Sequence, residues 1–267
     1  MSDALHVVGI QADLAWENPE KNLIFFETKI KSLPKNPHLV VLPEMFTTGF
    51  SMNPDKIAET MDGISVTWMQ KMAIENKFAI CGSLVISEKP FDCAQSNIKY
   101  YNRLVFVHPN GKIVTYDKKH PFTLAGEDKV YSSGSEKLII DYKGWKICPL
   151  ICYDLRFPVW ARNTENYDLL IFVANWPLKR IRAWETLLKA RAIENMSYVI
   201  GVNRTGKDIN DYEYSGNSLI IDYLGDEIAN IEDDSAGIIT NTLLKSKQDL
   251  ARKKLGFLND KDIFSIL

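Results

Sequence analysis

The amino-acid sequence predicts an α/β domain in which a mixed sheet, or a pair of sheets, is covered by helices. Strand-like and helix-like segments alternate along the whole chain, and several strand-like runs come in close pairs around a turn sequence. No repeat, low-complexity linker or shift of composition divides the 267 residues, so residues 1–267 read as one domain.

The elements follow in order. Residues 5–11 are an apolar opening strand. Asn18-Pro19-Glu20 reads as a helix start, with Asn as cap, Pro at the first helical position and an acid in the first turn. Leu23, Phe26, Ile30 and Leu33 then form a helical apolar stripe. Residues 38–42 are a short strand of the buried type, 65–77 a helix and 78–86 a strand. Residues 100–108 and 112–116 pair around Pro109-Asn110-Gly111, and 138–142 and 145–151 around Lys143-Gly144. A strand at 169–174, an amphipathic helix at 181–196 and a strand at 198–202 follow. A last pair, 218–223 and 227–231, surrounds Leu224-Gly225-Asp226. The tail from Ser246 is polar, then apolar again at Phe257, Ile263 and Phe264.

Composition bounds the function. Hydrophobic residues make up 46 % and charged residues 25 %, and the formal net charge is −2. Nucleic acid and anionic membranes call for a basic surface, so neither is an expected partner. No apolar stretch reaches transmembrane length, and Met1-Ser2-Asp3-Ala4-Leu5-His6 lacks the basic start and apolar run of a signal peptide. Four cysteines, Cys81, Cys93, Cys148 and Cys152, are too sparse for a disulfide scaffold. The expected compartment is the reducing cytoplasm, where a free thiol survives.

In open α/β folds, ligands bind beyond the carboxyl ends of the strands. Five apolar runs end there in reactive or polar residues: Glu44 after Val40-Val41-Leu42-Pro43, Lys118 after residues 113–117, Cys152 after residues 147–151, Asn175 after residues 171–174 and Asn203 after residues 199–202. If those strands share a direction, the five gather on one rim. Singly, each has a plainer reading: a cysteine after a strand is usually core, Lys118 sits in a charged stretch, and either asparagine can cap the next segment. Together they match one chemistry. A thiol attacks a carbonyl once a base takes its proton, and a cation must face the resulting oxyanion. The four histidines, His6, His38, His108 and His120, lack metal-ligand spacing, and neither a Gly-x-Ser-x-Gly elbow nor a phosphate-binding glycine loop is present. A Cys–His pair using His120 stays open at this point.

Three segments carry a family resemblance. Leu39-Val40-Val41-Leu42-Pro43-Glu44-Met45-Phe46, Tyr116-Asp117-Lys118-Lys119-His120-Pro121-Phe122 and Cys148-Pro149-Leu150-Ile151-Cys152-Tyr153-Asp154-Leu155-Arg156-Phe157-Pro158 resemble, in order and spacing, the glutamate, lysine and cysteine motifs of the nitrilase (carbon–nitrogen hydrolase) superfamily. The resemblance runs from the first strand to the last hairpin. Within the superfamily the chain is most similar to the omega-amidase branch, of the bacterial type acting on 2-oxoglutaramate. The supporting segments are Ala174-Asn175-Trp176-Pro177, Ala183-Trp184-Glu185-Thr186-Leu187-Leu188, Ala190-Arg191-Ala192-Ile193-Glu194-Asn195 and Asn203-Arg204-Thr205-Gly206. Pro121 departs from the pattern, which usually has Leu there.

The resemblance implies a four-layer α-β-β-α sandwich and a homodimer formed through helices beside the cysteine; the apolar residues Phe257, Ile263 and Phe264 suit the tail from about 246 to 267 to packing across it. The resemblance implies no metal and no cofactor. Catalysis falls to Cys152 as nucleophile, Glu44 as base, Lys118 as oxyanion clamp and Glu127 as a second acid. The backbone of Tyr153 would share the oxyanion. Arg156 or Arg204 would meet a substrate carboxylate, with Phe46, Phe122 and Trp176 as apolar walls. Arg191 and Glu194 read as a structural ion pair. The substrate would be a small amide, and hydrolysis would pass through a thioester. The alternatives are another amidase or carbamoylase of the superfamily, acyl transfer to an amine, and a non-catalytic binding protein on the same fold.

Overall fold

Side chains that alternate along a strand serve two cores at once when both faces are covered, and the first strands of this chain do so. The computed structural model describes residues 3–33, 36–89, 98–231 and 234–265; Cys93 lies outside them. One sheet holds β1 (Ala4–Gln11), β2 (Leu39–Val41), β3 (Ala79–Glu88), β4 (Lys99–Val107), β5 (Ile113–Asp117) and a late strand, β14 (Gly237–Leu244), in the order β14-β1-β2-β3-β4-β5. The other holds β6 (Ile140–Tyr142), β7 (Trp145–Ile151), β8 (Leu169–Ala174), β9 (Tyr198–Asn203), β12 (Leu219–Ile221) and β13 (Glu227–Asn230), in the order β13-β12-β9-β8-β7-β6. A separate hairpin joins β10 (Thr205–Lys207) to β11 (Glu213–Ser215).

Leu5 and Val7 of β1 and Leu39 and Val41 of β2 share one core with Ile147, Leu150 and Phe172 of the second sheet. Their neighbours Val8, Ile10, Val40 and Leu42 face the other way, into a core with Phe26 and Ile30 of α1 (Pro19–Lys31) and Met69 and Met72 of α3 (Ile64–Asn76). Beyond the second sheet lies α5 (Ile181–Asn195), which buries Trp184, Leu188 and Ala192. The result is the expected helix–sheet–sheet–helix sandwich. Two glycines show how closely the layers meet. A Cβ on Gly9 would stand 2.7 Å from Val202 between the sheets, and one on Gly201 would stand 2.5 Å from Leu188 under α5.

Local chemistry sets the boundaries. Asn18 caps α1 by accepting from the Lys21 N–H at 3.0 Å, with Pro19 at the first position. Two one-turn helices, α2 (Pro54–Ile57) and α4 (Pro158–Ala161), also begin at prolines. Several elements were not expected. Residues 237–244 lack clean alternation, because Asn241 and Thr242 interrupt it, yet β14 pairs with β1 over its full length. The polar hairpin of β10 and β11 carries no apolar run. The polar tail begins with α6 (Lys245–Leu255), held to its own chain by Gln248 and Arg252, which donate to backbone carbonyls of Asp168, Met196 and Tyr167. Phe257, Ile263 and Phe264 stay exposed beyond it. Among the described residues, no helix is long and apolar enough to cross a membrane.

Strand direction is what builds the site. β2 and β3 run parallel, and two antiparallel steps through β4 bring β5 back to the same direction. β7, β8 and β9 are parallel to one another. The segments that follow β2, β5, β7 and β8 therefore collect at one edge of the sandwich.

Candidate active site

At that edge the first sheet contributes a charged cluster. Lys118, the residue after β5, places its ammonium 2.8 Å from Glu44 Oε1 and 2.9 Å from Glu127 Oε2. All three side chains are buried. Asn102, from inside β4, donates to Glu44 at 2.8 Å and to Glu127 at 3.1 Å, bridging the two carboxylates. Asn175, just past β8, donates its backbone N–H to Glu44 Oε2 at 2.8 Å and its amide to the Glu44 carbonyl at 2.7 Å. Glu44 is thus held by groups from both sheets. Glu127 lies in a single 3-10 turn and also accepts from the Phe122 N–H.

The second sheet contributes the thiol. Cys152 follows β7 with φ of 44°, in the left-handed region that a non-glycine residue enters at a cost of about 1–3 kcal/mol. A 3-10 turn, Cys152–Arg156, starts there. Asp154 holds this elbow: it accepts from the Ile151 N–H at 3.1 Å, the Tyr116 hydroxyl at 2.7 Å and the His120 N–H at 3.0 Å. One buried carboxylate therefore ties the cysteine turn to the loop after Lys118. Arg191 donates to the Leu155 carbonyl at 2.6 Å and pairs with Glu194 at 2.9 Å, the expected structural ion pair.

Electrostatics fix the resting protonation. Burial pushes the Cys152 thiol well up, the Glu44 carboxylate adds to the rise, and Lys118 opposes it. The surroundings therefore favour the neutral thiol at rest. Burial by itself would lower the Lys118 ammonium, but Glu127 and Glu44 outweigh it and hold the charge on. Burial raises Glu127, with Glu44 adding to the rise and Lys118 opposing it.

Cys152 opens onto a cavity of about 390 Å³. Of the six substrate-contacting residues expected from the sequence, Phe122, Tyr153, Arg156 and Trp176 line it. Two do not. Met45 has φ of 43°, and the turn sends Phe46 back into the outer core, where its ring meets Phe26 at 5.4 Å and Trp68 at 6.1 Å. Phe50 takes the wall position instead, 5.2 Å from the Lys118 ammonium. Arg204 is also corrected: it is fully buried, paired with Asp13 at 3.1 Å and bonded to the carbonyls of Thr205 and Lys207. It stacks behind Tyr214, at 4.7 Å, and Tyr214 presents the cavity face. His120 is engaged by Asp154 at 2.8 Å and by stacking on Phe157, and the carboxylate that raises the thiol is Glu44. Asn203 fixes a wall: it accepts from the Trp176 N–H at 2.7 Å and donates to the Trp176 carbonyl at 3.0 Å.

Sequence reasoning missed Asn102, Asp154, Asp208 and Arg180. A polar residue inside the apolar run of β4 was the available signal for Asn102. Asp154 sat inside the cysteine motif. Nothing local marks Arg180 or Asp208, which reach the cavity from a 3-10 turn and from the β10–β11 loop.

A helix–sheet–sheet–helix sandwich with a thiol beside a carboxylate and an ammonium defines a hydrolase class, and the chain belongs to the carbon–nitrogen hydrolase family, whose model matches residues 7–252. It is 40 % identical to the omega-amidase YafV of Yersinia enterocolitica over 97 % of both chains. It is 36 % identical to the 2-oxoglutaramate amidase of Bacillus subtilis (strain 168), over 82 % of this chain and 83 % of that one. A crystal structure of XC1258 from Xanthomonas campestris, a CN-hydrolase superfamily protein with an arsenic adduct in its active site, superposes with a TM-score of 0.93 at 37 % identity, covering 99 % of this chain and 100 % of that one.

Proposed function

We propose that this chain is an omega-amidase that releases ammonia from the terminal amide of a short 2-oxo dicarboxylic acid, such as 2-oxoglutaramate, through a thioester on Cys152. One observation carries the reading: Cys152 and Asn175 line a cavity sized for a small molecule, and Asn175 holds Glu44, which with Lys118 and Glu127 forms the buried charged cluster behind that wall. The similarity to an omega-amidase and a 2-oxoglutaramate amidase supports the substrate class.

Glu44 takes the thiol proton as sulfur bonds to the amide carbon. An ammonium has three N–H donors; Glu44 and Glu127 engage two, and the third faces the oxyanion. The Tyr153 N–H, in the first turn after the elbow and so without an intrahelical partner, is the second donor. Collapse breaks the C–N bond, Glu44 passes its proton to the leaving nitrogen, and ammonia departs. Water then adds to the thioester, giving Glu44 a proton that returns to sulfur as the acid leaves. Glu127 keeps Lys118 charged and in place. Phe122 and Trp176 bound the substrate's carbon chain. The free thiol suits a reducing cytoplasm, where we place the enzyme. Exposed apolar side chains on helices beside the cysteine, Val159 on α4 and Ile193 on α5, support a homodimer.

The test is ammonia release from 2-oxoglutaramate, glutamine, a simple aliphatic amide, an N-carbamoyl amino acid and an aliphatic nitrile. 2-Oxoglutaramate should win clearly in kcat/KM. A carbamoyl or nitrile winner keeps the nucleophile and discards the omega-amidase assignment.

A further inference from the structure

We propose that Arg180, acting with Arg156, reads the substrate's far carboxylate and rejects amides that carry an ammonium beside it. This rests on the amidase reading above and adds the group that sets its selectivity. Of the eight arginines, Arg103, Arg162, Arg191, Arg204 and Arg252 donate to carboxylate or carbonyl oxygens of the protein. Among the described residues, Arg156, Arg180 and the exposed Arg182 have no hydrogen-bond acceptor, and the first two line the cavity. Guanidiniums left without an acceptor at a cavity wall are suited to a planar anion, which they bind through paired N–H donors.

Both are held by flat aromatic supports rather than by protein anions. Arg180 lies over Phe122 at 5.2 Å and Arg156 over Trp176 at 5.0 Å. Trp176 couples the two, because its indole N–H donates to the Arg180 carbonyl at 2.8 Å while its ring carries Arg156. Phe122 in turn is tied through its N–H to Glu127, so the anion reader is anchored to the catalytic cluster. The other charged residue on the cavity wall is Asp208. Its oxygens already accept from the Tyr214 hydroxyl at 2.9 Å and from the N–H groups of Asn210 and Tyr212 at 2.8 and 3.1 Å, holding the β10–β11 loop. Two guanidiniums against one engaged carboxylate leave the wall positive. A 2-oxo acid presents only negative and neutral groups to that wall. An α-amino acid amide such as glutamine brings an ammonium against two like charges.

The experiment uses the full chain with Arg180→Met and Arg156→Met, which keep an unbranched stem without the charge, and Arg180→Lys. The readout is the ratio of kcat/KM for 2-oxoglutaramate to that for pentanamide, a neutral amide of equal length, together with the ratio to glutamine. Each Met variant should lower the first ratio about 10–100-fold, the range expected for one charge-assisted hydrogen-bonding partner. The loss should lie in KM rather than kcat, and Arg180→Lys should recover part of it. In calorimetry on Cys152→Ala, the product 2-oxoglutarate should bind, and adding Arg180→Met should weaken it by a similar factor. A wild-type enzyme that prefers 2-oxoglutaramate but whose Met variants keep the wild-type ratios overturns the arginine reader alone. Equal turnover of glutamine and 2-oxoglutaramate overturns the ammonium rejection. A wild-type enzyme that cleaves pentanamide and ignores 2-oxoglutaramate overturns the omega-amidase reading and the reader with it.

Discussion

The Cys152 thiol sits in surroundings that disfavour its own ionisation, and that decides how it must react. A nucleophile of this kind needs a base that takes the proton during attack, rather than a standing thiolate. The charges around it give opposite, measurable signs. Glu44 raises the thiol and Lys118 lowers it, so Glu44→Gln should shift the titration of Cys152 to lower pH and Lys118→Met to higher pH. Iodoacetamide labelling of the peptide holding Cys152, followed against pH, reads both shifts; identical profiles in the two variants contradict the charge assignment. Turnover follows a different rule. Lys118→Met should cost on the order of 10²–10³ in kcat, the usual cost of losing an oxyanion donor, and Cys152→Ala should abolish turnover with the fold intact. Near-normal turnover by Cys152→Ala would return the thiol to the status of a core cysteine, like the buried Cys81 and Cys148.

At the scale of elements, the late segments lock the sandwich that holds the site. Helix α6 docks on the second sheet through Asp168, a buried carboxylate that pairs with Lys245 and with Arg252 at 3.1 Å and also accepts from the Lys146 N–H at 2.9 Å. Burial pulls the Arg252 guanidinium down, and Asp168 is the first group opposing that pull. Asp168→Ala strands that charge, so it should destabilise the protein by about 3–5 kcal/mol, the range for breaking a buried pair. Denaturant melts check the figure. A loss below 1 kcal/mol would mean that α6 rests on its backbone contacts alone. The polar tail hid this helix from sequence reading because its contacts are ionic and backbone-directed, and hydrophobic periodicity registers neither.

For the whole molecule, the two sheets are inseparable from the chemistry. Glu44 and Lys118 follow strands of one sheet, and Cys152 and Asn175 follow strands of the other, so the site exists only when the sheets are packed. Gly9, with no room for a Cβ against Val202, marks how little slack that packing has. Subunit association belongs to the same scale. The exposed apolar Val159 and Ile193 lie on helices next to the cysteine turn, and Phe257 and Ile263 are exposed in the tail. Light scattering at micromolar concentration should give twice the 30.5 kDa chain mass; a monomer removes the dimer.

The sequence by itself determined the α/β class, most strands and the identity of the charged cluster, while the layer count came only with the family resemblance. Alternation and turn residues are local, and the residues ending β2, β5 and β7 lie in short motifs whose chemistry is readable in one dimension. Phe122 and Trp176 were legible for the same reason, since each stands beside a motif residue. Only the tertiary structure decided which arginines face the cavity. Arg204 directly follows an apolar strand, yet it is folded inward onto Asp13, while Arg180, six residues past β8, rests on Phe122 at the cavity wall. That difference depends on where Asp13 and Phe122 arrive from distant parts of the chain. Phe46 turned inward because of the backbone twist at Met45, and Asn102 joined the cluster because strand pairing set it beside Lys118, within reach of both carboxylates. Periodicity and motif spacing record what a residue can do; its partners are fixed by long-range register, which one-dimensional spacing does not carry.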